Sequence, residues 1–331
     1  MLVSSNLKLF GSFFTPEHQA RLSGWADWHR LASRTVTSEM RKELKEADAL
    51  ITTWDSPVFS EELLGWAPRL RIISHCGGAV KGRFPRLLFD RLVIANAASP
   101  MARHVAELAV TFLLYFARDV DRYRELLRRP SNAIYEEMHL SGGGDQTILE
   151  REVGLIGFGR IGRAIADLLV PFGTRLRVYD PYVAPESVAC GTVQLDSLEA
   201  VLAESQYLIV AAGLTDETRL MLNRKRLAIL PRGAVVINVA RGGLVDLDAL
   251  TRMVLKGRLR CALDVTDPLE PLPGRHPLRR ASRAILTPHV GAISRAVRHA
   301  ITDIILADLA RFFAGEPVEN RVTAEMLDRM T

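Results

Sequence analysis

At 331 residues the chain is too long for one ordinary core, and with 48% hydrophobic residues it carries enough apolar material for two domains. Its 43 Lys and Arg against 38 Asp and Glu leave a net charge of +5, with the signs interspersed and no basic stripe interleaved with aromatics. That distribution argues against a nucleic-acid partner and is compatible with attraction of anionic substrates. The three cysteines, Cys76, Cys190 and Cys261, stand at unrelated spacings that form no metal-ligand pattern and suit reduced thiols in a cytoplasm. The opening stretch MLVSSNLKLFGSFF lacks the charged and continuously apolar segments of a secretory leader.

In the first hundred residues short apolar runs alternate with polar helical pieces. Residues 49–53, 70–74 and 92–95 read as strands, and 60–66 as a helix capped by Ser60. This is an α/β pattern with its own small parallel sheet. The turn after the second strand carries Gly77, Gly78 and Ala79 at a strand C-terminal end, where open α/β sheets hold their ligands. From Met101 the pattern turns helical through VAELAVTFLLYFARDVDRYRELLRR, apolar on nearly every side in its first half. Such a helix is expected to be buried, between domains or against a partner subunit, and it is too short to span a bilayer. Pro130 ends the helical pattern, and 141–146 (SGGGDQ) reads as a flexible loop.

The next stretch, EVGLIGFGRIGRAIADLLVPFGTRLRVYD over 152–180, has the form of a strand, a glycine turn, a helix and a second strand. Gly157, Gly159 and Gly162 supply a G-x-G-x-x-G. The first permits the tight turn, the second lets a pyrophosphate approach the backbone, and the third lets the helix pack closely on the sheet. The free N–H groups at the start of that helix then face the phosphates. Asp180 closes the second strand 18 residues beyond Gly162. A carboxylate at that distance accepts hydrogen bonds from a ribose 2′-OH and repels a 2′-phosphate, which favours NAD over NADP.

Alternation continues with helices near 198–203, 224–230 and 247–255 and strands at 207–211, 234–239, 259–265 and 284–286. That makes six cofactor-domain strands in a doubly wound parallel sheet, the Rossmann arrangement. A final helix over 293–313 is free to pack back on the N-terminal part, which makes that domain discontinuous. The expected division is a substrate domain over 1–103, joined by 293–331, and a cofactor domain over 104–292.

Three polar residues fall beside strand ends in the second half of the cofactor domain: Arg241, Glu270 and His289. A guanidinium at a sheet edge grips a carboxylate bidentately. A carboxylate beside an imidazole favours its protonated form and fixes its tautomer, which makes a proton donor. With a nicotinamide nearby the set describes reduction of a 2-oxo acid.

The sequence resembles the D-isomer-specific 2-hydroxyacid dehydrogenases over nearly its whole length. The motifs are VGLIGFGRIG with Asp180, INVARGGLVD around Arg241, ALDVTDPLEPLP around Asp264 and Glu270, and LTPHVGA around His289. The resemblance implies that Arg241 binds the substrate carboxylate and carbonyl, that His289 is the general acid/base and that Glu270 is its partner. It also places Arg160 and Ile161 at the pyrophosphate, Asp180 at the adenosine ribose and Asp264 at the nicotinamide carboxamide. Thr215, Val239, Ala240 and Gly291 would line the cofactor. It further implies a smaller flavodoxin-like α/β substrate domain that regains the last helix, and a homodimer through the cofactor domain.

Four features depart from the usual family pattern. AAGLT at 211–215 replaces a segment that often holds a histidine and a proline, GGAVK at 77–81 replaces Gly-x-Gly-x-Asp, and Met101 stands where asparagine is frequent. DPLEPLP is one residue longer than the shorter family form, which makes Asp267 a minor rival to Glu270. The leading expectation is therefore an NAD-dependent oxidoreductase of 2-oxo and D-2-hydroxy acids. The alternatives are an NAD-sensing corepressor-like binding protein and a dehydrogenase of another small anion such as phosphite.

Overall fold

The structure is a computed structural model and describes residues 1–128, 135, 138–140, 147–184, 188 and 193–328. Pro130, the 141–146 segment and Cys190 lie outside the described residues. The chain divides into two compact units, Met1–Met101 with Ala292–Thr331, and Ala102–Gly291.

The first unit is built on strands β1 (Leu2–Ser4), β2 (His29–Leu31), β3 (Ala49–Thr52), β4 (Ile72–His75) and β5 (Val93–Asn96), with the last strand of the chain, β13 (Arg321–Val322), at one edge. The order is β13-β5-β4-β3-β1-β2, parallel throughout except for β13, which is antiparallel to β5. Without β13 this is the flavodoxin-like order 2-1-3-4-5. β3, β4 and most of β5 are buried on both faces, as the continuous runs ALIT and IISH require. One face packs on the helices Leu7–Phe13 and Arg295–Ala314, where Phe10, Phe13 and Phe14 meet Ile301, Ile305 and Leu309. Each such side chain contributes about 1.5–3 kcal/mol by leaving water. Ser294 caps the Arg295–Ala314 helix by accepting from the Val297 N–H, and Gly315 ends it in the left-handed region.

Expectation and structure differ here at one helix. Residues 60–66 do not form a helix capped by Ser60. The helix is Leu63–Trp66, with no side-chain cap, and the Leu63, Leu64 and Gly65 N–H groups make tighter i to i+3 bonds to Ser60, Glu61 and Glu62 carbonyls. Four residues are too few to establish a full α-helical ladder.

The second unit holds β6 (Glu152–Ile156), β7 (Arg175–Tyr179), β8 (Val193–Leu195), β9 (Tyr207–Val210), β10 (Val235–Asn238), β11 (Arg260–Leu263) and β12 (Ala284–Leu286). All pair in parallel, in the order β12-β11-β10-β9-β6-β7-β8. The order reverses between β6 and β9, the switch point at which such sheets open a crevice at their carboxyl ends. The sheet has seven strands rather than the six expected. The extra one, β8, is a three-residue edge strand with an exposed Gln194 at its centre, too short and too polar to show a strand pattern.

The long apolar helix is Ser99–Ala117, and it stops before the shorter helix Val120–Leu126 instead of running on. Asp119 makes the break with φ +50, a conformation aspartate tolerates better than most residues, and its carboxylate receives Arg260 at 3.2 Å. No helix among the described residues is long and apolar enough to cross a membrane.

Candidate active site and dinucleotide cradle

β6 delivers the glycine turn to the carboxyl edge of the second unit's sheet. Gly157 has φ +93, and a Cβ there would lie 2.6 Å from the Ala212 backbone nitrogen. A Cβ on Gly162 would meet the Gly157 carbonyl oxygen at 2.2 Å, so the helix Arg160–Leu169 reaches its turn only because that position lacks a side chain. Gly159 differs from both. Nothing lies within 4 Å of a Cβ built there, and the residue is exposed. Open space therefore stands before a ten-residue helix whose N-cap is Gly159 and whose first N–H groups have no side-chain cap. Arg160 is exposed and Ile161 half-buried on its first turn. Room for an anion beside uncapped N–H groups fits a dinucleotide pyrophosphate.

β7 delivers Asp180. Its carboxylate accepts from the Phe158 N–H at 2.7 Å and from the Tyr182 N–H at 3.0 Å, which ties the glycine turn to the loop after β7. Each oxygen keeps a second lone pair for a ribose hydroxyl. After β9, Thr215 and Thr218 close a turn on each other. The Thr215 N–H donates to Thr218 Oγ1 at 2.8 Å, and that hydroxyl donates to the Gly213 carbonyl at 2.7 Å.

The chemical groups stand on the other half of the same sheet. After β10, Asn238 shapes the turn that presents Arg241: its Oδ1 accepts from the Ala240 N–H and its Nδ2 donates to the Arg241 carbonyl at 2.9 Å. Val239 and Ala240 are buried, and the Ala240 carbonyl accepts from Arg241 Nη1 at 2.7 Å. Burial holds the Arg241 guanidinium below the usual arginine range, and the Glu270 charge opposes that shift. His289 lies against Glu270, Nδ1 to Oε1, at 2.5 Å. Glu270 Oε2 accepts from the Thr266 N–H at 3.1 Å, which holds the carboxylate in place. Asp267 faces Arg219 at 3.8 Å instead. His289 sits at φ +55, held there by its own N–H donating to the Asp264 carbonyl at 2.8 Å.

Asp264 is the hub beneath this loop. It is buried, and its Oδ1 accepts from Thr287 Oγ1 at 2.6 Å and the Val290 N–H at 2.8 Å, while Oδ2 accepts from the Gly291 N–H at 2.9 Å. A Cβ on Gly291 would stand 3.0 Å from that same oxygen. The sequence reading overlooked three positioning residues, Asn238, Thr266 and Thr287. Their only local signal is a short polar side chain beside a motif residue, which turns commonly carry.

In the first unit the loop after β4 is tightly specified. Asn96 Nδ2 donates to the Gly78 carbonyl at 2.7 Å and the Ala97 N–H donates to the Gly77 carbonyl at 3.0 Å. A Cβ on Gly77 would strike Trp54 Nε1 at 2.8 Å and His75 Nε2 at 2.9 Å. Gly78 is half-buried and Ala79 exposed.

A doubly wound sheet with this glycine cradle defines the class of dinucleotide-binding α/β proteins. Comparison with known proteins gives the particular family: the chain belongs to the D-isomer specific 2-hydroxyacid dehydrogenases, whose NAD binding domain matches residues 110–291. It is 33% identical to a D-3-phosphoglycerate dehydrogenase of Mycobacterium leprae over 85% of this chain and 52% of that one. It is 29% identical to a glyoxylate reductase of Thermococcus kodakarensis over 86% of each. Among solved structures, a D-isomer specific 2-hydroxyacid dehydrogenase from Xanthobacter autotrophicus in complex with NADPH and MES superposes with a TM-score of 0.74 at 26% identity, covering 99% of this chain and all of that one. The chain spans about half the length of the phosphoglycerate dehydrogenases it matches.

Proposed function

We propose that the protein interconverts a 2-oxo acid and a D-2-hydroxy acid with NAD. The observation that carries this reading is the 2.5 Å contact between His289 and Glu270 on the sheet that also presents Arg241. NAD, when bound, supplies the hydride donor in its reduced form and the acceptor in its oxidised form. Arg241 binds the carboxylate and carbonyl of the 2-oxo acid and orients the carbonyl carbon. Glu270 accepts a hydrogen bond from the Nδ1–H of His289, which leaves the Nε2–H of the imidazolium to deliver its proton to the carbonyl oxygen as C2 is reduced. The same nitrogen takes that proton back in the oxidative direction.

Gly157, Gly159, Arg160, Ile161 and Gly162 hold the pyrophosphate in this reading and Asp180 the ribose. Thr215, Val239, Ala240 and Gly291 line the cofactor. Asp264 holds the His289 loop and keeps one lone pair of Oδ2 for the carboxamide. Gly77, Gly78 and Ala79 belong to substrate recognition, which makes the first unit the substrate domain. A homodimer through the NAD-binding unit and a cytoplasmic location complete the proposal, and light scattering of the purified chain checks the dimer.

The relatives named glyoxylate reductase and D-3-phosphoglycerate dehydrogenase set the first substrates to try. The test follows reduced-nicotinamide absorbance with glyoxylate and larger 2-oxo acids against NADH, and with 3-phosphoglycerate, formate and phosphite against NAD. Turnover of a 2-oxo acid is the expected result. Tight NADH binding with no turnover across the panel would overturn the enzymatic reading in favour of a sensing protein.

A further inference from the structure

Tyr182 and Glu217 make a contact that the proposed chemistry does not use. The Tyr182 phenol donates to Glu217 Oε2 at 3.2 Å, between two exposed side chains 35 residues apart in sequence. Tyr182 stands in the loop that follows β7, and Glu217 in the loop that follows β9. β6 lies between those strands, paired in parallel with both. Loops two strands apart are separated by roughly 9–10 Å. A side-chain contact between them therefore has to cross the carboxyl end of β6, where the glycine turn lies and where such a sheet opens its crevice.

Both ends of this bridge are anchored in the cradle. The Tyr182 N–H donates to Asp180, whose other oxygen accepts from Phe158 inside the glycine turn. Glu217 is flanked by the Thr215–Thr218 turn, which fixes its backbone. Resting on the cofactor reading above, we propose that Tyr182 and Glu217 form a clasp across the adenosine half of the dinucleotide crevice. The phenol slows release of the cofactor. The Glu217 carboxylate is a second negative charge, after Asp180, set against a 2′-phosphate.

Two substitutions separate the two parts. Tyr182→Phe keeps the ring and removes the donor, whereas Glu217→Gln keeps an acceptor for the phenol and removes the charge. Both positions are exposed, so neither change opens the core. The measurement is binding to the full chain, followed by the intrinsic fluorescence of NADH and of NADPH, with release rates from stopped-flow displacement by excess oxidised cofactor.

Tyr182→Phe is expected to release NADH about threefold to tenfold faster. Glu217→Gln is expected to bind NADPH about threefold to tenfold more tightly, with NADH affinity within twofold of the parent. NADH release from Tyr182→Phe at the parent rate would refute the clasp, and an unchanged NADH-to-NADPH affinity ratio in Glu217→Gln would refute the selective role of the charge. A parent chain that binds neither nucleotide would instead sink the cofactor reading on which both depend.

Discussion

Asp180 serves two masters at the scale of single residues, since the same carboxylate that would read a ribose also knits the glycine turn to the loop after β7. Asp180→Ala is therefore expected to narrow the preference for NADH over NADPH and to weaken NADH binding as well, by about tenfold, as titrations with both nucleotides would show. An unchanged ratio would mean that another group reads the ribose. His289 is expected to behave differently. His289→Ala should lower kcat by about a hundredfold or more and leave NADH affinity within about threefold, because in the proposed mechanism the imidazole moves a proton and holds no part of the cofactor. Equal loss of turnover and binding would remove the assigned role. The positions of Asp180 and His289 just beyond strand ends were legible in the sequence. The partners Phe158, for Asp180, and Asp264, for His289, were not legible as partners, because each contact joins loops that follow different strands.

Among the elements, the glycine turn makes the sharpest separation between fold and ligand. Gly157→Ala places a side chain at φ +93 and drives it into the Ala212 backbone. It is expected to destabilise the second unit by more than about 2 kcal/mol in urea unfolding. Gly159→Ala has ordinary backbone angles and open space around it. It should unfold within about 1 kcal/mol of the parent while losing at least about tenfold in NADH affinity, since its Cβ would occupy the room that the proposed reading gives to a phosphate. If Gly159→Ala bound NADH normally, the pyrophosphate would have to lie elsewhere. The turn, its flanking strands and the helix were all readable from period and punctuation, as was the helix that begins at Arg295. The break at Asp119 and the edge strand β8 were not. The first depends on an ion pair with Arg260, distant in sequence, and the second on pairing with β7.

For the whole molecule, the two units differ in what reports on them. All four tryptophans, Trp25, Trp28, Trp54 and Trp66, fall within Met1–Met101, so their fluorescence follows the first unit alone. That unit contains His75, fully buried with its Nδ1 2.9 Å from Thr52 Oγ1, and burial together with the nearby Arg83 charge pushes its pKa down to about 3. The imidazole is neutral in the fold, and the unfolded chain takes up a proton as the pH drops below about 6.5. Stability from this group is thus complete above that value and is lost progressively as the pH falls toward about 3. Between pH 6.5 and 4.5 the loss amounts to about 2–3 kcal/mol. Urea unfolding followed by tryptophan fluorescence is expected to show it, and His75→Asn, which keeps a polar partner for Thr52, should flatten the pH dependence over that window. A parent curve that is already flat would mean that His75 is protonated within the fold.

The sequence by itself determined the two α/β layouts, the doubly wound order of the second unit, the glycine cradle and the identity of the groups that carry charge at its strand ends. Those features are local: apolar period, turn residues and spacing act over a few residues, and parallel crossovers allow few alternatives. Only the tertiary structure decided which groups meet. Glu270 rather than Asp267 reaches His289, Asp264 gathers three donors under one loop, and Tyr182 crosses β6 to Glu217. Such pairings depend on the register of neighbouring strands and the paths of the loops between them, and no term confined to one stretch of chain specifies either.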